Sequence, residues 1–189
     1  MSVKDPQARE HMAADIEQVT AIIDKFLDYA RPQHQSPKRV SLNQVIEAAT
    51  FAFDNDTSMA LSTSIPPNTG VMGDATELQR VFANLLENAQ RYGKDPVTGR
   101  TRIKISAQVN DDWVQIKLRD HGPGVSPDLL SQLTQPFFRG DVSRTSATGT
   151  GLGLAIVERA VTRMGGRFAL TNNTTGGLSA HIRLPRAKD

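Results

Sequence analysis

Two asparagines in "NLLENAQRY", Asn84 and Asn88, sit four residues apart and project from one helical face beside Leu85 and Leu86. Amides at the edge of an apolar face need partners or cost about 1–3 kcal/mol each. They either cap neighbouring loops or serve a ligand, and an amide oxygen is a hard donor suited to Mg2+, which is held by few protein oxygens plus phosphates. A carboxylate comes next, at a strand end in "RDHGPGV". Asp120 there can accept from an exocyclic amine while Gly122 and Gly124 let a flat ring approach the backbone; a plain Asp-Gly turn is the alternative. Further on, "TGTGLGLAIV", residues 148 to 157, sets Gly149, Gly151 and Gly153 on a two-residue stride and runs into an apolar helix. The spacing fits neither a dinucleotide fingerprint nor a P-loop, and no lysine follows. Backbone N–H groups of such a turn, continuing into a helix N-terminus, still make an anion site with the helix dipole behind it. Residues 126 to 148 read as a long irregular stretch carrying "PFFRG" and "DVSRTSATG", the length of a functional lid or of a disordered segment. Phe137 and Phe138 are candidates to dock it. Arg139 and Arg144 offer donors to phosphate oxygens, or simply line a solvated loop.

The elements that must position these groups follow from periodicity. In residues 8 to 30, Met12, Ile16, Val19, Ile23, Phe26 and Ala30 alternate four- and three-residue steps, a helical seam that favours a helix partner over packing on its own domain. "RPQHQSPKR", residues 31 to 39, reads as a linker, with a domain boundary near residue 36. "SLNQVIEAATFAF" has a serine N-cap and helical spacing, and "MALSTSI" reads as a strand. "GDATELQRVFANLLENAQRYG" opens with Asp74 and Glu77 in the spacing of a capping box and closes at Gly93. "TRIKISAQV" and "WVQIKLRD" alternate as an antiparallel hairpin, as do "GRFALT" and "GLSAHIRLP". The expected fold class is α+β: a two-layer α/β sandwich whose mixed sheet has its helices on one face, preceded by one long helix.

Composition narrows the field. The 189 residues, 38% apolar and 22% charged, suffice for one ordinary domain and an extra segment. A net charge of +2 gives no overall basic footprint for nucleic acid. The absence of cysteine excludes disulfides and thiolate metal sites. No apolar run reaches the ~20 residues of a membrane span and no signal peptide opens the chain, so the piece is expected to be soluble.

With these stretches in this order, the sequence resembles the ATP-binding catalytic domain of sensor histidine kinases, which has the Bergerat-type fold. "NLLENAQRY" is similar to the N box, "DHGPG" to the D-x-G-x-G box, "PFFRG" to the F box and "GTGLGL" to the second glycine box. "NAQRYG", "PFFRGD", "SRTSATGTGLGLAIV" and "GGLS" most resemble EnvZ-type osmosensor kinases, and the likeness covers roughly residues 8 to 186. The resemblance implies ATP and Mg2+ as ligands, with Asn88 on the metal. Asn84, Arg91 and Tyr92 would line the phosphate side, Asn84 and Arg91 with catalytic roles. Asp120 would take the adenine amine, beside Gly122, Gly124 and Val125. Phe138, Arg139, Gly140 and Arg144 would belong to the lid, and Gly149, Thr150, Gly151, Leu152, Gly153 and Leu154 to its hinge and phosphate contacts. Residues 1–35 would be the second helix of a dimerisation hairpin with its linker, and 36–189 the catalytic domain. The implied partners are a response regulator and a second copy through the dimerisation helices, with no nucleic acid. The implied setting is the cytoplasmic portion of a bacterial inner-membrane protein.

In one respect the chain departs from that family. None of its four histidines, His11, His34, His121 and His181, is followed by the residues expected at a phosphoacceptor, so the chain reads as a fragment holding the phosphoryl donor site without the acceptor. At the position of Asn84, relatives that hydrolyse ATP carry a glutamate base; an amide has no such basicity. Two other functions stay open: a nucleotide-binding module without kinase activity, and an ATP-hydrolysing member of the same fold.

Overall fold

The computed structural model describes residues 6–30, 36–53, 56–140 and 149–188. A helix α1, Pro6–Ala30, comes first, followed by strand β1 (Lys38–Ser41) and helix α2 (Leu42–Phe51). Ser41 caps α2, its hydroxyl accepting from the Gln44 N–H. Strands β2 (Met59–Ser64) and β3 (Gly70–Gly73) lead into helix α3 (Ala75–Tyr92). Asp74 caps α3 through the Glu77 N–H at 3.0 Å. The reciprocal half of the expected capping box is missing, because the Glu77 carboxylate instead accepts from Arg80 at 2.6 Å. The hairpin β4 (Thr101–Val109) and β5 (Trp113–Arg119) follows as expected, then the short helix α4 (Pro127–Leu130), helix α5 (Gly153–Arg163) and the hairpin β6 (Arg167–Asn172) and β7 (Leu178–Pro185).

Five strands form one mixed sheet in the order β2-β4-β5-β7-β6, with β2 parallel to β4 and the other pairs antiparallel. Alternation along β4, β5 and β7 turns Ile103, Ile105, Ile116, Leu118, Ile182 and Leu184 to one face, where α2, α3 and α5 cover them. The opposite face has no helical cover among the described residues. The sandwich expected from the sequence is therefore present, with a second, two-stranded sheet of β1 and β3 that the sequence did not announce.

Three further expectations are corrected. The stretch read as a linker to residue 39 ends earlier, because Lys38 and Arg39 already pair with Gly73 and Met72. The stretch read as irregular from 126 contains α4, started by Pro127 at a position where its missing N–H costs nothing. Helix α1 begins two residues earlier than the seam suggested. That seam is bare: Met12, Ile16, Val19 and Ile23 are each half or more exposed.

Candidate functional site

Helix α3 is the spine of the site. Leu78, Val81, Phe82, Leu85, Leu86 and Ala89 hold it against the sheet, which turns Asn84 and Asn88 toward the start of α5. A Cβ added to Gly153, the first residue of α5, would stand 3.2 Å from Asn84 Oδ1 and 3.5 Å from Asn88 Nδ2. A side chain at position 153 would press on the Asn84 amide, so glycine suits this close approach of the two elements. Leu152 caps α5 with no side-chain hydrogen bond, so the first N–H groups of that helix have no side-chain acceptor there, as an anion site requires.

The two amides differ in state. Asn84 is buried and engaged at both ends: Nδ2 donates to the Arg80 carbonyl at 2.8 Å, and Oδ1 accepts from Lys25 Nζ at 3.1 Å. Asn88 Nδ2 is buried with no acceptor. An orphaned amide costs free energy unless a ligand completes it, and turning the amide over would merely present an orphaned carbonyl to a cation instead. Either way the residue fits a phosphate–metal ligand. Among the described residues no group of three His, Cys, Asp or Glu could hold a metal. A hard cation here would rely on the Asn88 amide together with phosphate oxygens, a sparse protein donor set usual for Mg2+.

At the other end, β5 delivers Asp120 into a buried position. Its Oδ1 accepts from the N–H of Gly122 at 2.9 Å and of Leu178 at 3.1 Å, which fixes the carboxylate and leaves Oδ2 with no partner among the described residues. Glycines wall this group. A Cβ on Gly93 would stand 2.7 Å from Asp120 Cβ, one on Gly122 would stand 2.7 Å from Gly93 Cα, and one on Gly177 would run into the Asp120 carbonyl oxygen. Gly177 also has φ +88. Gly93 and Gly177 were not singled out as site residues from the sequence; "RYG" and "GGLS" held the signal, but the need for a missing Cβ is visible only once Asp120 is placed. Gly124, at φ +75, and Val125 follow, and Asn172 clamps them by accepting from the Val125 N–H at 2.9 Å and donating back to its carbonyl at 2.5 Å.

The two ends are joined by the glycine-rich turn. Gly149 lies against the end of α3, where a Cβ would meet Arg91 Nη1 at 2.7 Å and Tyr92 Oη at 3.1 Å. Gly151, at φ +69, packs on the backbone of Phe137 and Phe138, and its carbonyl accepts from the Phe137 N–H at 2.9 Å. Thr150 Oγ1 accepts from Leu152 N–H at 3.3 Å, Leu152 is buried, and Leu154 packs on the core. The phenylalanine contact thus runs through backbone: the Phe137 ring, expected to dock the lid, is 56% exposed. Arg139 and Gly140 follow it on the surface. Arg144 and His34 lie outside the described residues. Of the other histidines, His11 is exposed on α1, His121 Nδ1 is 3.2 Å from the Arg102 carbonyl, and His181 lies in β7.

One contributor had no signal in the sequence. Helix α1 reaches the asparagine face of α3: Lys25 Nζ, besides Asn84, is 3.2 Å from the Glu87 carboxylate. Asp28 pairs with Arg80 at 3.3 Å, and Arg159 of α5 stacks on the Tyr29 ring at 4.8 Å.

Comparison with known proteins gives the same outline. A sequence model of the histidine kinase-, DNA gyrase B-, and HSP90-like ATPase family matches residues 73–188. The signal transduction histidine-protein kinase BaeS of Escherichia coli K12 is 36% identical over 154 residues, covering 79% of this chain and 32% of the relative. The sensor histidine kinase CpxA of the same strain is 30% identical over 188 residues, covering 95% and 40%. The chain thus spans about a third to two fifths of the length of these curated relatives. Among solved structures, the histidine kinase domain of the E. coli osmosensor EnvZ superposes with a TM-score of 0.62 at 32% identity, covering 84% of this chain and 94% of that one.

Proposed function

The chain belongs to the family of histidine kinase-, DNA gyrase B- and HSP90-like ATPases, and from that premise we propose that it is the ATP-binding catalytic portion of a sensor histidine kinase. In this reading it donates the γ-phosphate of ATP to a histidine on a dimerisation hairpin, for onward transfer to a response regulator. The observation that carries the reading is the pairing of a fixed, glycine-walled Asp120 with an orphaned Asn88 amide at the start of α5.

Each residue then has a task that its surroundings favour. Asp120 accepts a hydrogen bond from the exocyclic amine of adenine, since its Oδ1 is already spent on backbone and Oδ2 is not. Gly122, Gly124 and Val125 admit the ring edge. Arg91 and Tyr92, brought against Gly149, line the phosphate side, and the N–H groups at the start of α5, which receive no side-chain cap from Leu152, face phosphate oxygens. Asn88 is the residue that would hold Mg2+, whose chemistry is to offset the negative charge of the phosphates during transfer. Phe138, Arg139, Gly140 and Arg144 belong to the segment that closes over the nucleotide, with Gly151 as its hinge. Asn84 is a supporting residue: with both amide ends engaged and no basic atom, it does not activate water, which disfavours the hydrolase reading.

The bare seam of α1 supports its assignment as the second helix of a dimerisation hairpin, with residues 1–35 as that part and 36–189 as the catalytic domain. Full burial of such side chains contributes roughly 1.5–3 kcal/mol each, and half-exposure forfeits part of it, so a second copy or a partner helix is the natural cover. No described helix is long and apolar enough to cross a membrane; the cytoplasmic side of a membrane-anchored bacterial sensor is the setting the relatives suggest.

Transfer is tested with labelled ATP. The chain alone stays unlabelled, and adding a separate hairpin with its acceptor histidine, from the same parent protein, puts acid-labile phosphate on that hairpin. Label on this chain alone that disappears in His11→Ala would contradict the reading.

A further inference from the structure

We propose that the uncovered face of the five-stranded sheet docks onto an anionic lipid bilayer surface. Strands β2, β4, β5, β6 and β7 contain no aspartate or glutamate. Their basic side chains all occupy the alternation positions opposite the helix-covered core, so one face collects the charge. The register sets Lys104 directly across from Arg119, Lys117 across from His181, and Arg167 across from Arg183. Like charges directly opposite on neighbouring strands repel and destabilise the sheet. Two such pairs, with Lys117 against the His181 imidazole between them, span four adjacent strands about 15 Å across, a cost that folding alone does not explain.

The face is not neutralised from within. Among the described residues its ion pair is Arg102 with Asp95, at 2.7 Å. Arg119 donates to the Thr175 hydroxyl at 2.6 Å, yet its Nε, like that of Arg183, is buried without an acceptor. Burial and the neighbouring Lys117 hold the His181 pKa below its usual value, an expression of the same crowding. The net charge of +2 hides all this, because acidic residues such as Asp15, Glu17 and Asp24 lie on α1, away from the sheet.

What the face lacks identifies its partner. A protein partner would be expected to find a buried apolar or aromatic anchor, and here the aromatic side chain on this face is Trp113, at its margin, already covered by the Arg183 guanidinium at 4.1 Å. Single-stranded nucleic acid needs free aromatic platforms for its bases, and a duplex groove needs an inserted helix or ribbon; a broad five-stranded face offers neither. A broad surface of dispersed cations with no pocket and no wedge suits the negative plane of lipid headgroups, where each lysine or arginine contributes about a fivefold factor in affinity.

Co-sedimentation tests this with vesicles of phosphatidylcholine alone and of phosphatidylcholine mixed with phosphatidylglycerol. The chain binds the anionic vesicles only, and less as salt rises. Neutralising Lys104→Gln, Lys117→Gln and Arg167→Gln together weakens binding about a hundredfold. Reversing them, Lys104→Glu, Lys117→Glu and Arg167→Glu, weakens it further. The reversed set also melts no lower than the parent, because each new carboxylate faces a basic partner across the strands, and nucleotide affinity is unchanged. Equal sedimentation with neutral vesicles, parent-like binding by the neutralised set, or tighter binding to an oligonucleotide or an acidic protein than to anionic vesicles would each overturn the proposal.

Discussion

At the Asp120 end of the site the carboxylate is held by two backbone N–H groups and walled by three glycines, whereas at the Asn88 end a buried amide nitrogen waits without an acceptor. The first is a finished shape, built by the end of β5, the end of α3 and the β6–β7 turn; the second leaves a hydrogen bond for a ligand to complete. A preorganised end recognises the part of a nucleotide that never changes, and its geometry costs nothing to assemble on binding. The incomplete end faces the phosphates, whose charge and number change in the reaction. Damage at the two ends therefore has different signatures.

The largest effect belongs to the wall. Gly177→Ala puts a Cβ into the Asp120 carbonyl at a backbone conformation that L-residues resist, and should cost about 2–4 kcal/mol of stability. Thermal melting reads that loss, and calorimetry should find ADP and ATP binding weakened alike. A variant that melts and binds as the parent does would mean the base end is not rigid.

Asp120→Asn spares the wall and removes the acceptor. Nucleotide affinity should fall by about 1–3 kcal/mol, equally with and without Mg2+. A loss confined to the Mg2+-bound form would move Asp120 to the phosphate end.

Lys25→Ala probes the neighbour of the incomplete end. Its ion pair with Glu87 is partly exposed, so about 0.2–1 kcal/mol of α1 docking should be lost, seen as faster hydrogen exchange in α1 with nucleotide affinity little changed. A large rise in affinity would show that α1 obstructs the site.

The smallest effect lies in the turn after α3. Hydrogen bonds from the Thr98 and Val97 backbone, then Arg102, hold the Asp95 pKa below its usual value. A carboxylate with a lowered folded pKa stabilises above its unfolded value and loses that contribution as pH falls through the folded one. Acid melting should therefore be less steep below about pH 4 in Asp95→Asn than in the parent. Identical acid limbs would show that this carboxylate has no part in stability.

Legibility followed the range of the forces. β4, β5 and β7 could be read because one buried face imposes alternation, and α3 because six apolar residues recur on one side. β1 and β3 could not: four residues each, one holding two glycines, carry no period, and their pairing joins residues about thirty apart in the chain. Glu77 was misassigned because Arg80, one turn on, competes for its carboxylate. The site's polar residues were legible from type and spacing. Gly93, Gly177 and Lys25 were not, since each matters through a residue distant in sequence. The basic sheet face was concealed by a net charge that averages over both layers.

The central claim is that Asn88 completes the phosphate end while Asp120 fixes the base end. Calorimetric titration of Asn88→Ala with ADP and with a non-hydrolysable ATP analogue, each with and without Mg2+, tests it most directly. The account predicts parent-like ADP binding without Mg2+, and a much reduced gain in analogue affinity when Mg2+ is added. A gain as large as the parent's would contradict it and place the metal on another residue.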